Sequence, residues 1–420
     1  MTKYFYKTIK VPKEVESVTT YKPEDEVEPA DAGMSKKGVA VIWSAVEDLY
    51  RTGIHPAISF CLRRRGKVVL KRAIGHARGN GPDEGPDIEK ATVTPDTPIC
   101  LFSASKAVTA MLIHLLAESG KINIMDPVSH YIPEFVSYGK DDITIYHILS
   151  HRGGIPNLPR NIDPEIVFDH DAFTKLLFKS KPASLGGRRM AYHAITGGFI
   201  LGEIVRRVTG KDIRELLIGT LKKPLGFRYL NYGICDEDND KLAVNYYTGC
   251  PVMFPFSIYA KRALGASWKE IVRISDDPRF MKVIIPSANI VSTADEMSLF
   301  FQLLLNGGEL DGVRVFETIT IRRATMEAGR PAIDRTVMLP MRYSAGLILG
   351  SSPFGMYGPS TQHAFGHLGF SNIMCWADFD RDIAVSLLNT GKALLGIHLV
   401  PFFRLLARIS RYCSEKSRGE

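Results

Sequence analysis

The stretch Leu101–Phe135, "LFSASKAVTAMLIHLLAESGKINIMDPVSHYIPEF", decides how this chain is read. From Ser103 to Ser119 the residues Val108, Met111, Leu112 and Leu115 recur on one helical face, and Gly120 ends the run. The apolar segment Pro98–Phe102 leads into it, so Ser103 stands at a helix start. Lys106 follows three residues later, one turn on and on the same face. A serine hydroxyl is a weak nucleophile and needs a base beside it. A lysine can be that base only when neutral, which burial or a neighbouring cation brings about. The positive end of the helix dipole also favours an oxyanion formed next to Ser103. The ordinary alternative is an N-cap serine. A second Ser-x-x-Lys, Ser137-Tyr138-Gly139-Lys140, sits in a polar loop and reads as solvated surface.

Working outward, Val39, Ile42, Ala45, Val46 and Leu49 predict a helix over Gly38–Tyr50. Ala57–Leu62 and Lys67–Ala73 read as a hairpin about Arg64-Arg65-Gly66. Beyond the quoted stretch the chain is mainly helical, with helices expected at Gly197–Val208 and Asp295–Leu305 and a loop-and-helix element at Phe254–Asp277. Strand character returns at Ser344–Leu349, Ser371–Asp378 and Asp382–Asn389, and a last helix is expected over Ala393–Tyr412. The economical architecture is α+β: an antiparallel sheet built from N- and C-terminal segments and flanked by helices, with a large, mainly helical insertion. The expected division is an extended arm over 1–35, a sheet domain over 36–125 and 335–420, and the insertion over 126–334.

Composition narrows the function. The 420 residues carry a net charge of +8 that is scattered along the chain, whereas a nucleic-acid binder concentrates its basic residues in a stripe. The six cysteines form no CxxC, which argues against a zinc site or a disulfide framework and suits buried thiols in a reducing compartment. The N-terminus shows no apolar h-region, and no window of about 18 uncharged apolar residues occurs, so a cytoplasmic chain is expected. Ala393–Phe403, followed by Arg404 and Arg408, could touch a membrane peripherally; packing of that helix on the core is the simpler expectation. There is no GxxxxGK[ST], GxGxxG or GxSxG. His147 and His151 are spaced as in an HExxH helix, but Ile148 stands where the glutamate belongs, so no metal is expected. Arg188 and Arg189 read as a solvated turn.

The quoted stretch, with "DITIYHILSHRGGIPNL" (142–158) and "SANIVSTADEMSLFFQLLLNGGELDG" (287–312), resembles the serine β-lactamase-like family, which holds class C β-lactamases, D-Ala-D-Ala peptidases and related esterases and acyltransferases. The resemblance covers about residues 37–410 and is weakest over 210–285. It implies that Ser103 is the nucleophile and Lys106 its partner. It also implies a second motif at Tyr192-His193-Ala194, where Tyr192 shares the general-base role. A tyrosine does this as a phenolate or by relaying a proton, and cations at Lys106 and His367 would favour the phenolate. Ala194 replaces the family's Asn or Ser, which removes a side chain that contacts acyl-amide substrates and points toward esters. The third motif is His367-Leu368-Gly369, where many lactamases carry Lys; Gly369 would let substrate approach the strand. His367 would supply positive potential, and the N–H groups of Ser103 and Phe370 would form the oxyanion hole.

The expected function is a serine hydrolase of the esterase-like branch, acting through an acyl-enzyme on a small-molecule ester or amide, with no cofactor or metal. The alternatives are acyl transfer from the same intermediate, β-lactam or D-Ala-D-Ala peptide cleavage, and a non-catalytic scaffold. The segment 250–285 is expected to form part of the substrate pocket.

Overall fold

Arg65 and Gly66 both take positive φ, 52° and 76°, the geometry of a two-residue turn whose twist matches paired strands. Around this turn a computed structural model of the protein, which describes residues 6–159, 162–370 and 372–415, builds its longest hairpin. The main-sheet strands are β1 (Thr19–Tyr21), β2 (Ala57–Arg64), β3 (Lys67–Arg78), β4 (Ala91–Thr92), β5 (Ile348–Leu349), β6 (Ala364–Gly369), β7 (Ile373–Asp378) and β8 (Ile383–Asn389). They pair antiparallel in the order β1-β3-β2-β8-β7-β6-β5, with β4 also on β3. The join between N- and C-terminal halves is β2 on β8, with Leu62 opposite Val385. Part of the expected arm is therefore an edge strand, Thr20 lying opposite Ala73.

The helices used below are α1 (Lys36–Arg51), α2 (Ser105–Glu118), α3 (Thr196–Thr209), α4 (Phe256–Leu264), α5 (Trp268–Ser275), α6 (Ala294–Leu305) and α7 (Leu399–Tyr412). Central strand β2 is buried along its whole length, because each face has its own helical cover. Ile58, Phe60 and Leu62 face α1 and α7, while Ala57 and Cys61 face the core that contains α2 and α6. On that second face Arg63 donates to Ser298 Oγ at 2.9 Å and pairs with Asp295, both on α6. Helix α7 packs its stripe Phe402, Leu405, Leu406 and Ile409 into the first core. Each such side chain contributes about 1.5–3 kcal/mol when fully buried.

Several expectations shift. Ser344–Leu349 is strand only at Ile348–Leu349. Before it, Ser344 N–H bonds to Leu347 O at 2.9 Å in a turn through Gly346 (φ 113°), where a Cβ would lie 2.2 Å from that of Ala110. The last helix begins at Leu399 rather than Ala393, after Gly396 at φ 154°. Four cysteines are buried, but Cys235 and Cys250 are exposed. Lys140, read as solvated surface, is fully buried. Its Nζ donates to the carbonyls of Leu177, Phe178 and Ser180 at 3.0, 2.6 and 2.8 Å. It satisfies carbonyls that the end of helix His170–Lys179 would otherwise leave unpaired. Ser371, residues 1–5 and residues 416–420 lie outside the described residues.

Candidate active site

A small three-stranded sheet aims the nucleophile turn. Ile99–Cys100 pairs with Ile290–Ser292, which also pairs with Asn231–Tyr232. Leu101 N–H then bonds to Ile290 O at 2.8 Å, and Ser105 Oγ accepts from Ile290 N–H at 3.0 Å. Between these two anchors the chain must turn sharply, and Phe102 takes φ 47°. That value is sterically costly for a bulky residue and is held by the surrounding packing. Ser103 sits on the 3₁₀ turn Phe102–Ala104 immediately before α2, half-buried.

Lys106, on the first turn of α2, is buried. Its Nζ lies 3.1 Å from Ser103 Oγ, 2.7 Å from Ala194 O and 3.0 Å from Ser287 O. Burial holds its ammonium well below the ordinary lysine range. A neutral amine has two N–H donors and one lone pair. The two carbonyls can only accept, so they take the two N–H groups, and the lone pair remains for the serine O–H. The backbone at Ala194 therefore contributes through its carbonyl, whatever its side chain.

Tyr192 lies in the loop before α3. Its phenol lies beside Ser103, and Lys106 Nζ sits 4.9 Å from its ring centre. Burial raises its pKa above the ordinary tyrosine value. This runs against the expected phenolate: burial of the ring favours the neutral phenol. His367, on β6, is buried with Nδ1–H donating to Leu368 O at 2.7 Å, and burial and Lys106 pull its pKa down to about 3. It is thus a neutral imidazole, its ring 6.1 Å from that of Tyr192, and it supplies no positive charge.

Gly369 is explained by the protein's own backbone rather than by substrate. A Cβ there would stand 2.4 Å from Leu101 O and 2.7 Å from Ile373 Cβ, so the glycine lets the end of β6 close onto the nucleophile turn. Phe370 follows, tilted on Phe102 at 5.2 Å and stacked on Trp268 at 4.0 Å. A narrow cleft of about 60 Å³ opens at Ser103, and apart from Ser103 and Asp163 all its lining residues are apolar. Segment 250–285 supplies Leu264, Ile271 and Phe280 among them.

Asp334 and Lys392 carried no sequence signal, and His151 was noted only for its metal-like spacing from His147; all three lie beside the site. Asp334 is buried and accepts from Tyr192 N–H at 3.1 Å, from the N–H groups of Thr336 and Val337, and from Tyr343 O–H at 3.1 Å. It ties the Tyr192 loop to a distant segment. His151, with φ 57°, packs its ring 4.6 Å from Tyr192 and accepts from His193 N–H at 3.2 Å. Its former neighbour in the spacing argument, His147, is occupied in capping its own helix. Lys392 is buried, its Nζ 4.9 Å from the Phe102 ring centre and donating to Asn389 O at 2.6 Å. Its carbonyl accepts from Trp268 Nε1 at 2.9 Å. Arg188 and Arg189 are exposed.

Among known proteins, the esterase/β-lactamase LipL of Mycobacterium tuberculosis is 28% identical over 70% of this chain and 69% of its own. A penicillin-binding-protein homologue from Caulobacter crescentus superposes with TM-score 0.77 at 28% identity, over 89% of this chain and 97% of that one. A family VIII carboxylesterase superposes with TM-score 0.76 at 23% identity, covering 91% and 99%. No helix among the described residues is long and apolar enough to cross a membrane. The Ser103–Lys106 pair thus stands in a fold shared with these proteins, and with a family model matched over residues 19–396 the chain belongs to the β-lactamase family.

Proposed function

We propose that this protein is a carboxylesterase that cleaves esters of apolar acyl groups through an acyl-enzyme on Ser103. The observation that carries the reading is the lone pair of Lys106, which its two carbonyl partners leave directed to Ser103 Oγ at 3.1 Å. Ser103 Oγ forms a bond to the ester carbonyl carbon while its proton passes to Lys106. The N–H groups of Ser103 and Phe370 hold the oxyanion. The tetrahedral adduct collapses, the bond to the alcohol oxygen breaks, and that oxygen takes a proton from Tyr192. Lys106 restores the phenol proton. Water then attacks the acyl-enzyme with the proton transfers reversed. Neutral His367 acts by packing against Tyr192.

Ester rather than lactam is favoured by the apolar cleft and by Ala194, which offers no side-chain amide. The test is hydrolysis of p-nitrophenyl acetate, butyrate and octanoate by wild type and Ser103→Ala, beside a chromogenic cephalosporin. The expected result is ester turnover, falling at least about 10³-fold in the variant, without cephalosporin turnover. Full activity in Ser103→Ala would overturn the mechanism, and cephalosporin turnover would move the substrate class to lactams.

A further inference from the structure

Helix α4 roofs the cleft with one end only. Ala263 is buried, Leu264 lines the cleft, and Gly265 packs where a Cβ would meet Leu158 at 2.8 Å. The other end of the helix and the loop before it turn their apolar side chains outward. Met253 and Phe254 are 68% and 78% exposed, and Phe256 and Ile258 are exposed beside them. Four large apolar residues in six positions have no protein partner for those exposed faces. From Lys241 to Lys269 the chain contains no aspartate or glutamate, while Lys261, Arg262 and Lys269 are exposed. A second patch of the same character begins across a seam at which a Cβ on Gly249 would lie 2.7 Å from Ala393 Cβ. It comprises Leu395, Ile397, Val400 and Phe403, all exposed, with Arg404 exposed on the next position, 4.0 Å from Asp48 of α1. Met253 and Leu395 are four and two residues from that seam, so both patches rise from one region of the surface.

We propose that this surface docks on an anionic lipid–water interface, with Met253, Phe254, Phe256 and Ile258 entering the acyl boundary and Lys261 and Arg262 facing the head groups. The inference rests on the esterase reading above for its consequence, which is that the substrate is a lipid-borne ester whose acyl chain enters the cleft beneath the same helix. Exposed aromatic and aliphatic side chains at 253–258, with Lys261 and Arg262 exposed on the next turn of the same helix, match the amphipathic pattern of interfacial helices. A cleft with only Ser103 and Asp163 as polar lining residues suits a chain that already partitions into lipid. An acidic protein partner would meet the same cations but would leave the outward apolar loop without a role.

The experiment is co-sedimentation of the full chain with phosphatidylcholine vesicles and with vesicles of equal parts phosphatidylcholine and phosphatidylglycerol. It compares wild type, Phe254→Ser/Phe256→Ser and Lys261→Glu/Arg262→Glu, with p-nitrophenyl butyrate turnover in solution measured on each. Expected are wild-type binding to the anionic vesicles that weakens at high salt and a loss of at least about tenfold in each double variant. Turnover of the soluble ester should stay within about twofold, because none of the four residues lines the cleft. Wild type that ignores both vesicles, or variants that bind as it does, would overturn the proposal. So would a wild-type dimer dissociated by the Phe254 change, which would assign the surface to self-association. Vesicle binding as expected with no ester turnover would uphold the docking surface and remove the esterase reading alone.

Discussion

Lys106 Nζ lies 3.1 Å from Ser103 Oγ and places its other two contacts on main-chain carbonyls, Ala194 O at 2.7 Å and Ser287 O at 3.0 Å. On the proposed mechanism this arrangement suits the lysine to act as a base. Its pKa is lowered, so kcat/KM should rise with pH through the acid limb and level off well below the ordinary lysine value of 10.5. Lys106→Arg keeps a cation but cannot lose its proton. It should lower kcat by at least about 10³-fold and leave no such limb in the residual activity.

Asp334 joins Tyr192 to the rest of the site through four accepted hydrogen bonds. Asp334→Ala leaves the Tyr192 N–H and the buried Tyr343 O–H without their acceptor and should cost about 2–4 kcal/mol in chemical denaturation. Asp334→Asn keeps one acceptor oxygen. It should fold, with kcat reduced about tenfold and KM little changed, because the Tyr192 loop is displaced rather than the cleft.

Lys392 touches both partners of the aromatic stack, the Phe102 ring through Nζ and Trp268 through its carbonyl. Burial lowers the pKa of Lys392 to about 7; Lys392→Met retains the backbone contact and the aliphatic stem but loses the amine over Phe102, the residue held at φ 47°. We expect kcat/KM to fall about fivefold to tenfold, mainly in kcat, with thermal stability kept or raised. Unchanged kcat would show that Phe102 needs no such support.

Leu264 reaches the cleft from α4. Leu264→Trp should shorten the cleft and shift the ratio of butyrate to octanoate turnover by about tenfold or more in favour of butyrate. An unchanged ratio would place the acyl chain elsewhere.

Lys140 is a test of stability apart from catalysis. Lys140→Met leaves the Phe178 and Ser180 carbonyls without a donor and should cost about 2–4 kcal/mol, with kcat of the folded fraction unchanged. Burial lowers the folded pKa of Lys140 to about 8 from 10.5. Between those values the unfolded chain binds more protons, so wild-type stability rises with pH across that window. The deficit of the methionine variant, measured by denaturant titration, should therefore widen from pH 8 to pH 10.

Local chemistry made much of this legible in advance. The Arg65-Gly66 turn, the apolar stripe of α2 and the alternation in β2 each act over a few residues, and the paired strands and helix followed. Ser103 and Lys106 are three apart on one helix, so their meeting needed no tertiary information. Tyr192 and His367 were placed only through the resemblance, since a lone tyrosine and a Gly-bounded histidine are as common in cores as in sites. Lys140 misled because a polar loop gives no notice that a helix will end above it.

The sequence by itself determined the α+β layout, the Ser–Lys pair and the segments that could reach it. Only the tertiary structure decided the charges and the supports. Burial, which is a property of the assembled chain, makes Lys106 and His367 neutral and keeps Tyr192 a phenol. Asp334 and Lys392 stand 142 and 290 residues from the groups they contact, Tyr192 and Phe102, so only the folded chain brings them there. Gly369 was legible as a glycine beside the site, but the Leu101 carbonyl that excludes any larger residue arrives from the other half of the chain.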